Sequence, residues 1–231
     1  MIIDHNMLAK ISYSSYSGEQ ALKNLGFPQV VTFRSGNIVA YVCLSRSSRQ
    51  AILVFRGSDD SKDWRMNLNF LMVKSPLNRD IHGGFQKAYK KVGKDIQEYL
   101  DSFVGWDLYL TGHSLGAALA VICAVQSGIK YRDVVTFGQP RVFGSNNHIN
   151  LTKYKVVRYV NKSDIVCRIP TIGYEHSGDL LYINSKGEIR ENPSNSYIRL
   201  DSSWKLFNWV SDHKMENYLA ALDSKDCPYI N

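Results

Sequence analysis

The clearest chemical signature in the chain is Gly112-His113-Ser114-Leu115-Gly116, a G-x-S-x-G pentapeptide. It follows the apolar run Leu108-Tyr109-Leu110-Thr111 and precedes a small, apolar stretch from Leu115 to Gln126. Strand, sharp turn and helix in that order are the setting in which a serine hydroxyl serves as a nucleophile in acyl transfer. The turn is so tight that Cβ atoms two positions before and after the serine would collide, which accounts for Gly112 and Gly116. The hydroxyl of Ser114 then stands above the sheet with the helix start behind it. The backbone N–H of Leu115 points at an oxyanion forming on a substrate carbonyl, helped by the helix dipole. His113 is adjacent to the serine, so its ring points away from the hydroxyl and packs the elbow.

Such an elbow needs a rigid sheet beneath it, and the surrounding sequence supplies one. Ile38 to Leu44 and Ala51 to Phe55 read as adjacent strands joined by the polar turn Ser45 to Gln50. Leu108 to Thr111, Val134 to Phe137, Val156 to Val160 and Leu180 to Ile183 read as four more. Phe85, Ala88, Val92, Ile96, Tyr99 and Phe103 recur at three or four residues, predicting one amphipathic helix between the second and third strands. A second helix covers Leu115 to Gln126, with Gly128 as a possible cap. Apolar strands alternating with helices predict an α/β fold, a mostly parallel sheet covered on both faces, with the working site at the carboxyl ends of the strands. The 231 residues fit one domain spanning 1–231. Asp164 follows the Val156–Val160 strand and so falls at that carboxyl edge, where a catalytic histidine needs its acid.

Several motifs resemble one family in both order and spacing. Phe55-Arg56-Gly57-Ser58, Asp63-Trp64, Ile81-His82-Gly83-Gly84-Phe85 and the serine pentapeptide are similar to those of the fungal-type (class 3) lipases. Asn161 to Val166 with Ile169-Pro170 resembles that family's acid motif. His176-Ser177-Gly178 resembles its penultimate strand, Asp212-His213 with Tyr218 its histidine motif, and Leu8 to Tyr16 its first helix. The resemblance implies an α/β-hydrolase fold and a carboxylic ester hydrolase with Ser114, Asp164 and His213 as catalytic triad, in the chain order that fold uses. It also implies that Ser58 shares the oxyanion hole with Leu115, through its N–H and hydroxyl. Asp179, Asp201 and Asp212 are rival acids. Asp212 is poorly placed to bond the ring of its own neighbour and reads as a cap for the helix holding Met215, Tyr218, Leu219 and Leu222. His82, His148 and His176 read as structural, and Arg56 and Asp63 as ion-pair partners. Cys167 stands where the family commonly has proline. The chain is shorter than many secreted relatives, which puts their disulfides in doubt.

The segment from Asp59 to Asp80 falls where relatives carry a lid. It sets Trp64, Met66, Leu68 and Phe70 among charged residues. A mobile amphipathic lid would cover the site in water and bury its apolar face at a lipid interface, with Trp64 and Leu68 against substrate. A fixed helix-loop would leave an open esterase site. Lipid esters, in particular acylglycerols, are therefore the expected substrates. Small soluble or aromatic esters of feruloyl type, phospholipase A1 chemistry and a non-catalytic binding role are the alternatives. Serine chemistry of this kind calls for no cofactor and no metal.

The remaining properties narrow the partners. The chain has 28 Lys+Arg against 21 Asp+Glu, a formal charge of +7, scattered rather than gathered into a basic block. Nucleic acid is not an expected partner, since no basic, aromatic-bearing motif occurs. Weak attraction to anionic lipid is expected. No apolar run reaches the ~18 residues of a membrane span, and the chain as given opens without a secretory signal, which predicts an intracellular protein or one shown without its leader. Cys43, Cys123, Cys167 and Cys227 are far apart in sequence and read as free thiols.

Overall fold

A computed structural model describes residues 1–58, 81–145, 154–203 and 210–223. The expected lid with Trp64 and Leu68, and also Asp63, His148 and Cys227, lie outside the described residues. The strands are β1 (Gln29–Ser35), β2 (Ile38–Ser45), β3 (Gln50–Phe55), β4 (Asp107–His113), β5 (Asp133–Phe137), β6 (Phe143–Gly144), β7 (Val156–Asn161), β8 (Tyr174–Glu175), β9 (Asp179–Ile183) and β10 (Ile189–Glu191). Eight of them form one sheet in the order β1-β2-β3-β4-β5-β7-β9-β10, while β6 and β8 pair separately. β3, β4, β5, β7 and β9 are mutually parallel. β1, β2 and β3 form an antiparallel meander and β10 folds back on β9. This is the α/β-hydrolase arrangement, in which the parallel strands all deliver their carboxyl ends to one edge.

Burial on both faces explains why the inner strands read as continuous apolar runs. All eight residues of β2 are buried. Ile38, Ala40, Val42 and Leu44 face one core, and Val39, Tyr41 and Cys43 face the other. The first core is covered by α3 (Gly83–Tyr89), α4 (Gly93–Leu100) and α5 (Leu115–Gln126). α1 (His5–Ser14), α2 (Glu19–Asn24) and a helix we label α7 (Met215–Leu222) cover the second, and α6 (Asn195–Ser203) precedes α7 in the chain. α1 starts where Asp4 accepts a 2.7 Å hydrogen bond from the N–H of Met7. It docks through Leu8, Ala9 and Ile11, and its Ser12 hydroxyl lies 2.9 Å from that of Thr111 on β4. α5 is buried from Gly116 to Ala124, and its alanines let it lie close to the sheet.

Three sequence expectations change. The single helix from Phe85 to Phe103 is two, α3 and α4, broken by a turn in which the N–H of Val92 bonds to the carbonyl of Tyr89. The apolar period survives because the turn keeps its phase, and Phe85, Ala88, Val92, Ile96 and Phe103 are buried in one cluster. Gly93 permits the restart: a Cβ there would sit 2.7 Å from the Tyr89 ring. β1 and β10 lie beyond the predicted strands. Finally, β4 runs on through Gly112 to His113, so the strand carries the chain up to the serine itself. Among the described residues no helix is long and apolar enough to cross a membrane.

Candidate active site

β4 ends at His113 and α5 begins at Leu115, so Ser114 alone makes the turn, with φ +59° and ψ −123°. This backbone is strained for a non-glycine residue. It is held by the Ser114 N–H, which donates to the carbonyl of Phe137 on β5 at 3.0 Å. The two flanking glycines are required for different reasons. A Cβ on Gly112 would lie 2.5 Å from the backbone of Gly116, as the sequence argument anticipates. A Cβ on Gly116 would instead lie 2.1 Å from the carbonyl oxygen of Phe55, so it is β3, not Gly112, that excludes a side chain there.

Asp164 and His213 reach Ser114 from two other elements. β7 ends at Asn161, and the following turn leaves Asp164 fully buried. His213 lies in the turn just before α7. Its Nε2 is 2.8 Å from Ser114 Oγ, and its Nδ1 is 2.8 Å from Asp164 Oδ2 and 3.0 Å from Oδ1. This geometry places the ring proton on Nδ1, donating to Asp164, and leaves Nε2 to accept from the serine hydroxyl. Asp164 also accepts from the N–H of Val166 at 2.9 Å and from the Tyr218 hydroxyl. Burial opposes its ionisation, but His213 and the Tyr218 donor outweigh burial and hold its pKa below the ordinary carboxylate value.

Three supports complete this arrangement, and of them the sequence anticipates only the outward turn of His113. The Tyr218 hydroxyl, besides donating to Asp164, accepts the N–H of Asn161 at 3.1 Å, so one side chain of α7 pins the start of the acid turn. Gly138, just past β5 with φ +58°, lies flat against the histidine. A Cβ there would be 2.9 Å from His213 Cε1 and 3.1 Å from Asp164 Oδ2. His113 does point away from Ser114. Its Nε2–H donates to the carbonyl of His213 at 2.8 Å, so Nδ1 is the acceptor for the Tyr16 hydroxyl at 2.6 Å. Its ring stacks on that of His213 with centroids 4.6 Å apart. Burial, then the neighbouring His213, lowers the His113 pKa to about 3, so it stays neutral and its tautomer is fixed.

The rival residues have other work. Asp212 does not cap α7, whose N-cap is Lys214 without a side-chain bond. Its carboxylate accepts the N–H of Ser163 at 3.2 Å and its carbonyl accepts Asn161 Nδ2 at 2.9 Å, tying the histidine turn to the acid turn. Asp201 accepts from Tyr182 and from Ser185. His176 donates from Nε2 to the carbonyl of Cys167 at 2.7 Å, and burial, then Arg158, lowers its pKa to about 3. His82 is wholly buried between Phe85 and Tyr174. Asp179 opens β9, away from the histidine. Cys43, Cys123 and Cys167 are buried free thiols.

Ser58 follows β3 and Leu115 opens α5, and the two line one cavity. Neither backbone N–H takes a partner among the described residues. Two donors without acceptors among the described residues, beside a serine bonded to a histidine, can receive the negative oxygen of a tetrahedral acyl adduct.

The comparisons with known proteins follow this geometry. Among solved structures, the lipase of Rhizopus microsporus var. chinensis superposes with a TM-score of 0.67 at 24% identity, covering 89% of this chain and 82% of its own. The triacylglyceride lipase of Rhizomucor miehei gives 0.66 at 23% identity over 89% and 90%. These likenesses define the α/β-hydrolase fold. The family model described as Lipase (class 3) matches residues 52–174, more than half the chain, and the chain belongs to that family. In sequence it is similar to the Rhizomucor miehei lipase, 32% identical over 62% of this chain and 44% of that protein. It is also similar to the secreted mono- and diacylglycerol lipase 1 of Fusarium solani, 30% identical over 64% and 48%. The chain thus spans about half the length of the curated relatives it matches.

Proposed function

We propose that this chain is a serine carboxylic ester hydrolase acting on acylglycerols or related lipid esters, with Ser114 as nucleophile, His213 as general base and acid, and Asp164 as its orienting acid. One observation carries the reading: Ser114 Oγ, His213 Nε2 and Nδ1, and Asp164 Oδ2 form an unbroken chain of 2.8 Å hydrogen bonds. As Ser114 Oγ attacks the ester carbonyl, its proton passes to His213 Nε2. The carbonyl oxygen becomes an oxyanion that the N–H groups of Ser58 and Leu115 receive. The C–O bond to the alcohol then breaks, and His213 Nε2 returns the proton to the leaving oxygen. A water molecule attacks the acyl-enzyme by the same route, giving the carboxylic acid and restoring the serine. Asp164 stabilises the imidazolium without taking its proton.

Support for lipid esters comes from the relatives. The similar Fusarium protein is called a mono- and diacylglycerol lipase, and a structural neighbour is described as a triacylglycerol lipase with a serine protease triad. Another neighbour is the subject of a model for interfacial activation, which supports transient contact with a lipid surface here. The deciding measurement is acyl release from esters of increasing chain length, dissolved and emulsified, with Ser114→Ala as control. A rise in rate at the solubility limit that vanishes in Ser114→Ala is the expected result. Activity confined to short dissolved esters would make the protein an esterase, and equal rates in wild type and Ser114→Ala would remove the serine mechanism.

A further inference from the structure

We infer that the cavity beside Ser58 and Leu115 is a subsite for a negatively charged arm of the ester substrate, held by Lys87 and Lys91. The inference rests on the ester-hydrolase reading above and adds esters with a charged acyl arm to the lipid esters named there. The cavity, of about 230 Å³, opens at the oxyanion donors. Its apolar wall is built by Ile38, Ala88 and Leu115. Two residues of opposite character to that wall, Lys87 on α3 and Lys91 just past its C-terminal cap Lys90, stand four residues apart, and both line the cavity. Both are exposed, and neither takes an ion-pair partner among the described residues. Among the described lining residues none is a carboxylate.

An apolar throat leading to two exposed ammonium groups suits a short chain that ends in an anion. The volume argues the same way. It falls below the roughly 300–1,000 Å³ of sites that enclose a whole small ligand, so it takes one arm of the substrate. His213 does not line the cavity. The leaving oxygen must stay beside His213, so the arm in the cavity is most directly the acyl part, carrying a carboxylate or phosphate a few bonds from the carbonyl. An anion on the alcohol could reach the same lysines only by folding back past the oxyanion donors.

The test compares kcat/KM for four esters: the neutral para-nitrophenyl butyrate, the para-nitrophenyl monoester of glutaric acid, the para-nitrophenyl ester of aminobutyric acid with a free ammonium group, and a butyrate ester of hydroxybenzenesulfonate. Wild type is expected to favour the glutarate over the butyrate and to disfavour the ammonium ester. In Lys87→Glu/Lys91→Glu the glutarate-to-butyrate ratio should fall about tenfold, the size expected from losing two partly solvated charge pairs. The ammonium ester should gain in the same variant. A merely structural role for these lysines would lower all four rates together and leave the ratios in place. Preference for the sulfonate ester instead of the glutarate, lost in the same variant, keeps the anion subsite and moves it to the alcohol side. Ratios near one in wild type that the variant does not change, or a wild-type preference for the ammonium ester, would overturn the inference while leaving the hydrolase intact. Loss of the butyrate reaction as well in wild type would count against the hydrolase reading itself, and the subsite with it.

Discussion

Asp164 carries the most demanding residue-level problem, because a fully buried carboxylate survives only if every lone pair is satisfied. Three donors do this: His213 Nδ1, the Val166 N–H and the Tyr218 hydroxyl. Asp164→Asn would keep the shape of the site but offer an N–H to Nδ1 and favour the wrong tautomer, and kcat should fall about 10⁴-fold with little change in KM. Tyr218→Phe removes one donor from the carboxylate and the acceptor of the Asn161 N–H. It should cost about 1–3 kcal/mol in urea unfolding at neutral pH. The sign of its pH dependence follows from Asp164. A carboxylate whose folded pKa lies below the ordinary 3.8 stabilises the fold above that value, and loses the contribution as pH falls through the folded pKa. The stability gap between wild type and Tyr218→Phe should therefore be full well above 3.8 and shrink as pH falls below that value through the lower folded pKa of Asp164. A gap independent of pH would mean that Tyr218 acts through packing alone.

At the scale of elements, the site is a meeting of four strand ends and a helix approach, fixed by close backbone contacts. Gly138 is the most telling. Alanine there would force a positive φ on a side chain and press a methyl group against His213 Cε1 at 2.9 Å. A displacement of about 1 Å in a catalytic group is worth roughly 10² in rate, so Gly138→Ala should lower kcat at least that far. Circular dichroism and unfolding should show a smaller change, about 1–3 kcal/mol. This residue also shows what was and was not legible beforehand. The serine elbow, the inner strands and α5 were readable because their signals are local: alternating or continuous apolar runs and a glycine pair at fixed spacing. The acid was placed by a strand end, the histidine and Ser58 only by family likeness. The roles of Gly138, Tyr16 and Tyr218 were not readable. Their partners stand 75, 97 and 54 residues away for Gly138–His213, Tyr16–His113 and Tyr218–Asp164, and nothing in the local pattern announces a long-range contact. The split of α3 from α4 was hidden for another reason. A three-residue turn conserved the helical period, so the hydrophobic pattern could not reveal the break.

At the scale of the molecule, the two cores hold opposite sides of one site. The proposed oxyanion donors, Ser58 and Leu115, lie at the end of β3 and the start of α5, which packs on the first core, while Asp164 and His213 are braced from the second side by Tyr218 of α7 and by Tyr16, just past α1, through His113. The sheet between them keeps the serine rigid relative to both. The chain carries a formal charge of +7, and α3 with the two residues after it exposes Lys87, Lys90 and Lys91 close to the Ser58 cavity. A basic surface beside the entrance should bring the site toward anionic lipid, at about 1 kcal/mol for each lysine near the headgroups. Sedimentation with phosphatidylcholine vesicles, with and without phosphatidylserine, measures this directly. Binding should require phosphatidylserine. It should weaken between about 0.1 M salt, where charges are felt over about 10 Å, and about 1 M, where the range is about 3 Å. Lys87→Glu/Lys90→Glu/Lys91→Glu should lower the partition coefficient by at least about thirtyfold if these lysines face the bilayer. Binding that ignores salt and charge reversal alike would mean that apolar insertion elsewhere on the molecule governs adsorption, and that the basic face of α3 serves the substrate and not the surface.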